Sequence, residues 1–193
     1  MSDIQKASEL LAALADVLRA RGTRWYVFGA QAVILWGSPR MSADVDVTVE
    51  IAPEDAAGYV AAMERAGFRL RIRDVEGFVA QTRVLPFLHE ATKLPLDVVL
   101  AGPGLEELFL QRAREVELAG QRIPVISPED LIVTKVLAGR PKDLDDVRGI
   151  LTERAKDLDL DQVRETLDLL EQALGQSDLR PLFDMELSRV NPP

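Results

Sequence analysis

Two carboxylates, Asp44 and Asp46, lie two residues apart in the run Asp44-Val45-Asp46-Val47-Thr48-Val49. In an extended strand, residues i and i+2 point to the same face. The pair can therefore offer hard oxygen ligands to Mg²⁺ (or Mn²⁺) and to a triphosphate carried by the metal. Asp-x-Asp also occurs at Asp143/Asp145, Asp157/Asp159 and Asp159/Asp161. Those pairs fall in helical or linker contexts, where Asp costs little, whereas Asp inside a β-branched strand is unfavourable and needs a reason. A third acid, Asp97, interrupts the apolar run Leu94-Pro95-Leu96-Asp97-Val98-Val99-Leu100. Such a group must be paired, metal-bound or exposed at a sheet edge. If its strand lies beside 45–49, Asp97 joins Asp44 and Asp46 as a metal ligand and as the base for an attacking hydroxyl. On an edge strand it simply faces water. Upstream, Val27-Phe28-Gly29-Ala30-Gln31 reads as a strand-to-helix turn. Gly29 there either admits phosphate to the backbone N–H groups of a helix N-terminus or is an ordinary turn residue. Downstream, Lys135, Arg140, Lys142, Asp143 and Asp146 form a charged group. It offers either cations for the remaining phosphate charge or ordinary solvated helix charge.

Several elements must position these residues. Ile4, Leu10, Leu11, Leu14, Val17 and Leu18 mark one face of a helix over 4–21, closed by Gly22. A strand at Trp25–Phe28, a short helix to Trp36 and a loop over Ser38–Ala43 lead to the strand at 45–49. Pro53 to Ala66 predicts a helix with Pro at its start and Gly67 at its end. Phe68–Ile72 and Phe78–Leu85 predict strands around a turn, and Leu94–Leu100 another. Leu105–Arg112 predicts a helix, and the residues flanking Ala119-Gly120-Gln121 a hairpin. From Ser127, a helix start signal, everything reads as helix. The expected organisation is an α/β (α+β) core over 1–126, a mixed sheet flanked by helices, with a helical region over 127–193 packed on it. In the tail, Leu160, Val163, Leu167, Leu170 and Leu174 recur at helical spacing, which serves core packing or a homodimer seam.

Composition narrows the chemistry. The 193 residues include no Cys and one His, His89. Disulfides, thiolate catalysis and Cys-zinc sites are excluded, and a Ser-His triad or multi-His metal centre is disfavoured. His89 is expected to be structural or solvent-facing. The absence of Cys fits a cytoplasmic setting. The N-terminal helix pattern contains acids and is unlike a signal peptide, and no apolar run is long enough to span a membrane. The net charge of −9 disfavours a broad basic surface for nucleic acid. Arg65, Arg69, Arg71, Arg73 and Arg83 bring positive charge to one segment. They form either a face for RNA or nucleotide or, more simply, alternating solvent-facing strand residues. Asp157-Leu-Asp159-Leu-Asp161 is no calcium loop, because Gln162 and Asp168 stand where Gly and Glu are needed; Asp161 or its neighbour is better read as a helix cap.

Taken together, Phe28-Gly29-Ala30, then Arg40-Met41-Ser42-Ala43-Asp44-Val45-Asp46, then Asp97, resemble the signature of the polymerase-β-like nucleotidyltransferase superfamily. Lys135 and Arg140-Pro141-Lys142-Asp143-Leu144-Asp145-Asp146 resemble the Lys and Lys-Asp-x-x-Asp motifs of its minimal, abortive-infection Eii toxin-like branch. The resemblance spans roughly residues 25 to 150. It implies metal-dependent transfer of a nucleoside monophosphate from an NTP to an acceptor hydroxyl on tRNA, protein or a small molecule. It implies Asp44, Asp46 and Asp97 as metal ligands, with Asp97 assisting the nucleophile. Lys135, Arg40 and Lys142 would serve phosphate, with Asp143 and Asp146 orienting those cations or belonging to the site. Gly29, Ala30 and Ser42 would line the phosphate approach. A toxin would have an antitoxin partner. The family's turn usually carries Gly or Ser where this chain has Ala30, so any phosphate contact there must be through backbone N–H. That departure keeps open a second expectation, a nucleotidyltransferase-fold binding module without turnover.

Overall fold

The computed structural model describes residues 2–37, 44–118, 120–154 and 156–190. The elements in chain order are α1 (Asp3–Ala20), β1 (Trp25–Phe28), α2 (Gly29–Trp36), β2 (Val45–Val49), α3 (Ala56–Arg65), β3 (Phe68–Leu70), α4 (Val75–Thr82), β4 (Val84–His89) and β5 (Pro95–Leu100). They continue with α5 (Leu105–Arg112), β6 (Arg114–Leu118), β7 (Gln121–Val125), α6 (Pro128–Ala138), α7 (Pro141–Arg154), α8 (Leu160–Leu174) and α9 (Leu179–Val190). The fold is mixed α/β. The chain divides into two compact units, one of Met1–Gln31 with Met41–Ile126, the other of Ala32–Arg40 with Ser127–Pro193. The division falls inside α2.

The first unit is built on a seven-stranded mixed sheet of order β3-β4-β5-β2-β1-β7-β6. β2 pairs antiparallel with β1 and parallel with β5, and β4 pairs antiparallel with β5 and β3. β5 is thus an interior strand, which removes the edge-strand reading of Asp97. Along β5 the burial alternates, with Leu96, Val98 and Leu100 buried and Asp97 between them half-buried. Leu10, Leu14 and Leu18 on α1, Tyr59 and Met63 on α3, and Phe68 and Phe87 on β3 and β4 fill the core. The apolar period of α1 matches its buried face, and Ser2 caps it in a reciprocal pair with Gln5.

One expectation is corrected. Phe78 falls on α4, not on a strand, and the strand that follows runs from Val84 to His89. Asp74 accepts a hydrogen bond from Gly77 N–H and starts the helix, and Arg83, at φ 55°, ends it in a left-handed turn. Only Val79 of α4 is buried, so the apolar run 78–80 carries one helical contact rather than a strand face. The helix expected from Pro53 begins as a 3-10 turn over Pro53–Asp55 before α3.

The second unit is helical. Ser127 caps α6 by accepting from Asp130 N–H, and Asp159 caps α8 by accepting from Gln162 N–H, so that the cap falls on Asp159 while Asp161 lies in the first turn. On α8, Val163 and Leu167 are buried, while Leu169 and Leu174 are exposed. Arg154 on α7 donates to the carbonyls of Leu35 and Trp36 and lies over the Trp36 ring, satisfying the free carbonyls at the end of α2. Among the described residues no helix is long and apolar enough to cross a membrane.

His89 is buried, 2.9 Å from the Thr92 hydroxyl through Nδ1, with its ring on Phe68. Burial lowers its pKa below the ordinary 6.5, with Glu9 opposing. The unfolded chain therefore takes up this proton at a higher pH than the folded one. Stability should fall as pH drops through about 6.5 towards the lower folded value. Urea midpoints between about pH 7 and pH 5 should decline more for the native protein than for His89→Leu. Equal slopes would show that the imidazole is not held neutral.

Candidate active site

Gly29 is the first residue of α2 and has φ 64°, in the left-handed region that glycine adopts without strain. Its missing side chain is also a packing requirement. A Cβ on Gly29 would stand 2.2 Å from Asp46 Oδ2, so the Asp46 carboxylate occupies the space that any other residue would fill. The start of α2 and the middle of β2 are thereby held together, and Gln31 adds a hydrogen bond from Nε2 to the Asp44 carbonyl at 3.3 Å. Ala30 follows, buried, and contributes only its backbone.

Asp46 is the register partner of Phe28 on one side and of Asp97 on the other. Its neighbours Val45 and Val47 are fully buried, so Asp46 and Asp97 share the less buried face of the sheet. Asp44 stands exposed just before β2 begins. Asp97 receives a hydrogen bond from Arg71 Nη2 at 2.5 Å, an ion pair in which both side chains are more than a third exposed. Among the described residues no group of three or more Asp, Glu or His side chains is gathered to hold a metal ion. Asp46 and Asp97 are brought into register; Asp44 is not drawn into a three-carboxylate cluster with them. The donor chemistry nevertheless fits a hard divalent cation: carboxylate oxygens on one sheet face, with the Gly29 gap leaving room for the inner one. Arg40 and Ser42 lie outside the described residues.

The charged group of the second unit forms an ion-pair network. Lys135 Nζ on α6 donates to Asp143 Oδ1 at 2.9 Å and to Asp146 Oδ2 at 2.8 Å, both on α7. Arg140 Nε donates to the other oxygen of Asp143 at 2.5 Å. Lys135, Asp143 and Asp146 are buried, and Asp143 has no accessible surface. Burial pushes the Asp143 carboxyl up, but the hydrogen bonds from Arg140 and Lys135 outweigh it and hold the pKa below the ordinary 3.8. The spacing follows from helix geometry: Asp143 and Asp146 are one turn apart on one face of α7. Gly139, at φ 62°, ends α6 and returns the chain so that this face meets Lys135. Lys142, on another face of α7, is exposed.

Arg71 pairs with Asp97, a role that the sequence did not separate from those of the other four arginines of its segment. The signal was the alternation Arg69, Arg71, Arg73, which puts like residues on one face of a strand. Arg69 pairs with Glu90, and Arg83 instead donates to the Leu100 and Ala101 carbonyls.

The mixed seven-stranded sheet with its flanking helices matches nucleotidyltransferase-like folds. The chain belongs to the family described as nucleotidyltransferase of unknown function (DUF6036), whose model matches residues 5–181. Solved structures agree on the fold. The antibiotic-resistance factor ANT(2″)-Ia matches with a TM-score of 0.60 at 15% identity, covering 89% of this chain and 96% of that one. An antigenic nucleotidyltransferase-like protein from Paracoccidioides brasiliensis matches with a TM-score of 0.60 at 16% identity, covering 96% of each chain. The lincosamide antibiotic adenylyltransferase LnuA, solved with lincomycin, matches with a TM-score of 0.50 at 14% identity, covering 72% of this chain and 93% of that one. No curated protein matches the sequence.

Two substitutions test this geometry. Gly29→Ala adds left-handed strain and a clash with Asp46, and should cost about 2 kcal/mol or more in urea unfolding. Asp143→Ala leaves the buried Lys135 ammonium with one carboxylate fewer and should cost about 3–5 kcal/mol, against a much smaller loss for Lys142→Ala on the exposed face.

Proposed function

We propose that this chain is a metal-dependent nucleotidyltransferase that moves a nucleoside monophosphate from an NTP to an acceptor hydroxyl. The observation that carries the reading is the register of Asp46 with Asp97, beside a Gly29 whose missing Cβ leaves room for the Asp46 carboxylate. Asp44, Asp46 and Asp97 are the residues that would hold Mg²⁺ or Mn²⁺. The metal would supply charge neutralisation at the phosphates and at the attacking and leaving oxygens. Asp97 takes the proton of the acceptor hydroxyl as its oxygen bonds to the α-phosphorus. The α–β phosphoanhydride bond then breaks, and its electron pair leaves with pyrophosphate. The backbone N–H groups at Gly29 and Ala30 offer donors to phosphate at the start of α2. The proposal keeps the roles that the resemblance implies for Lys135, a cation for phosphate, and for Asp143 and Asp146, the carboxylates that hold it. It also keeps Arg40, Ser42 and Lys142 as phosphate contacts.

The acceptor is proposed as tRNA, protein or a small molecule. The Lys135 to Asp146 spacing supports the abortive-infection Eii toxin-like branch, and with it a toxin acting in the cytoplasm beside an antitoxin. The small-molecule class is supported by the antibiotic-modifying structural neighbours. One observation favours a second reading, a nucleotide- or partner-binding module without turnover: Ala30 has no hydroxyl to offer a phosphate.

A labelled-NTP transfer assay tests the proposal. All four NTPs are supplied with Mg²⁺ or Mn²⁺, against total tRNA, total cell protein, and an aminoglycoside and a lincosamide. Metal-dependent label transfer is expected, with at least about a hundredfold loss in Asp46→Asn and in Asp97→Asn. Transfer persisting in folded Asp46→Asn would overturn the catalytic assignment. Absence of both transfer and NTP binding would favour the module without turnover.

A further inference from the structure

Arg71 lies immediately beyond β3, and its N–H donates to the Pro86 carbonyl at 2.8 Å. Pro86 on β4 is the register partner of Asp97 on β5, and Asp97 is the partner of Asp46 on β2. Arg71, Pro86, Asp97 and Asp46 therefore form one row across four neighbouring strand positions. The Arg71 side chain passes over the β4 position held by Pro86 to reach Asp97 Oδ1.

That row sets a charge problem. Two carboxylates directly opposite on neighbouring strands repel. Within the described residues the cation paired with Asp97 is the Arg71 guanidinium. The pair is 39% and 38% exposed, so it is solvated and weak rather than locked. It contrasts with Lys135, whose two carboxylates are buried with it.

We infer that Arg71 is a counter-cation that competes with a divalent metal for the Asp97 carboxylate, and so sets the metal affinity of the site. The inference rests on the reading of Asp46 and Asp97 as metal ligands. Binding of a divalent ion at Asp97 displaces the guanidinium or shares the carboxylate with it, and in either case works against a positive charge. Arg71 is a tuning residue, acting through Asp97. A merely structural role, pinning the end of β3 to the sheet, would lower stability on substitution without changing metal affinity.

Mn²⁺ binding to the full chain, followed by the loss of the free-ion electron paramagnetic resonance signal, separates these roles. Arg71→Gln should bind Mn²⁺ up to about fivefold more tightly than the native protein, the range set by a half-exposed ion pair. Arg69→Gln breaks the more exposed pair between Arg69 on β3 and Glu90 and should leave the affinity unchanged. In an Asp97→Asn background, adding Arg71→Gln should give at most a small further change, because the shared carboxylate is gone. If Arg71→Gln does not fold, Arg71→Lys, which keeps a charge but lacks the guanidinium fork, should shift the affinity in the same direction by about twofold. Native-like or weaker Mn²⁺ binding in the folded Arg71 variants, with Asp97→Asn impaired, would overturn the inference and leave the metal site standing. No Mn²⁺ binding by the native protein or any variant would overturn both.

Discussion

The parallel pairing of β2 with β5 is the constraint on which the site depends. Because the strands run the same way in register, Asp46 and Asp97 fall opposite each other, and the alternation of each strand puts both on the less buried face. The valines and leucines on either side cannot be moved without exposing the core, since a slip of one residue would turn every side chain over. The sheet core therefore fixes the separation of two charges that repel. Arg71, reaching in from the end of the outermost strand, supplies charge that relieves that repulsion from one side. The Gly29 turn relieves crowding from the other, because the absent Cβ leaves the Asp46 carboxylate its place.

The Lys135 network and the Arg71–Asp97 pair handle charge in opposite ways, and the difference is one of solvation. Lys135, Asp143 and Asp146 are buried, and every bond among them must be made because an unpartnered ion there costs several kcal/mol. Such a network holds one geometry. Asp97 and Arg71 keep a third or more of their surface in water, where an ion pair is worth about 1 kcal/mol or less. A carboxylate held so weakly can exchange partners. Rigidity belongs to the buried network and exchangeability to the half-exposed row, and a site that must accept and release a charged ligand needs its carboxylates in the second condition.

Most of the fold was legible because its elements carry strong periodic or terminal signals: the leucine face of α1, the alternation of β2 and β5, the Ser127 cap of α6. The failure at Phe78–Leu85 has a physical cause. A short apolar run has no period of its own, and what decides between helix and strand is the capping of its ends. Asp74 and Gly77 gave that cap, but a left-handed Arg83 at the other end is not a residue that announces a helix stop. For the site, the acids were visible because a charge in an apolar strand needs a reason. Arg71 was not, since its partner is 26 residues away and the pair exists only once β3, β4 and β5 take their places in the sheet.

A further consequence concerns Asp44. Sequence spacing alone makes it the equal of Asp46, since both belong to one Asp-x-Asp pair. The fold makes them unequal. Asp46 is inside β2, backed by buried valines and fixed against Gly29; Asp44 precedes the strand, exposed, and its backbone rather than its side chain receives the hydrogen bond from Gln31. A carboxylate fixed by the core costs little to present to a ligand, because its rotamer freedom is already lost on folding. In the proposed site Asp46 is therefore the carboxylate whose place the sheet core and the Gly29 turn fix before any ligand arrives.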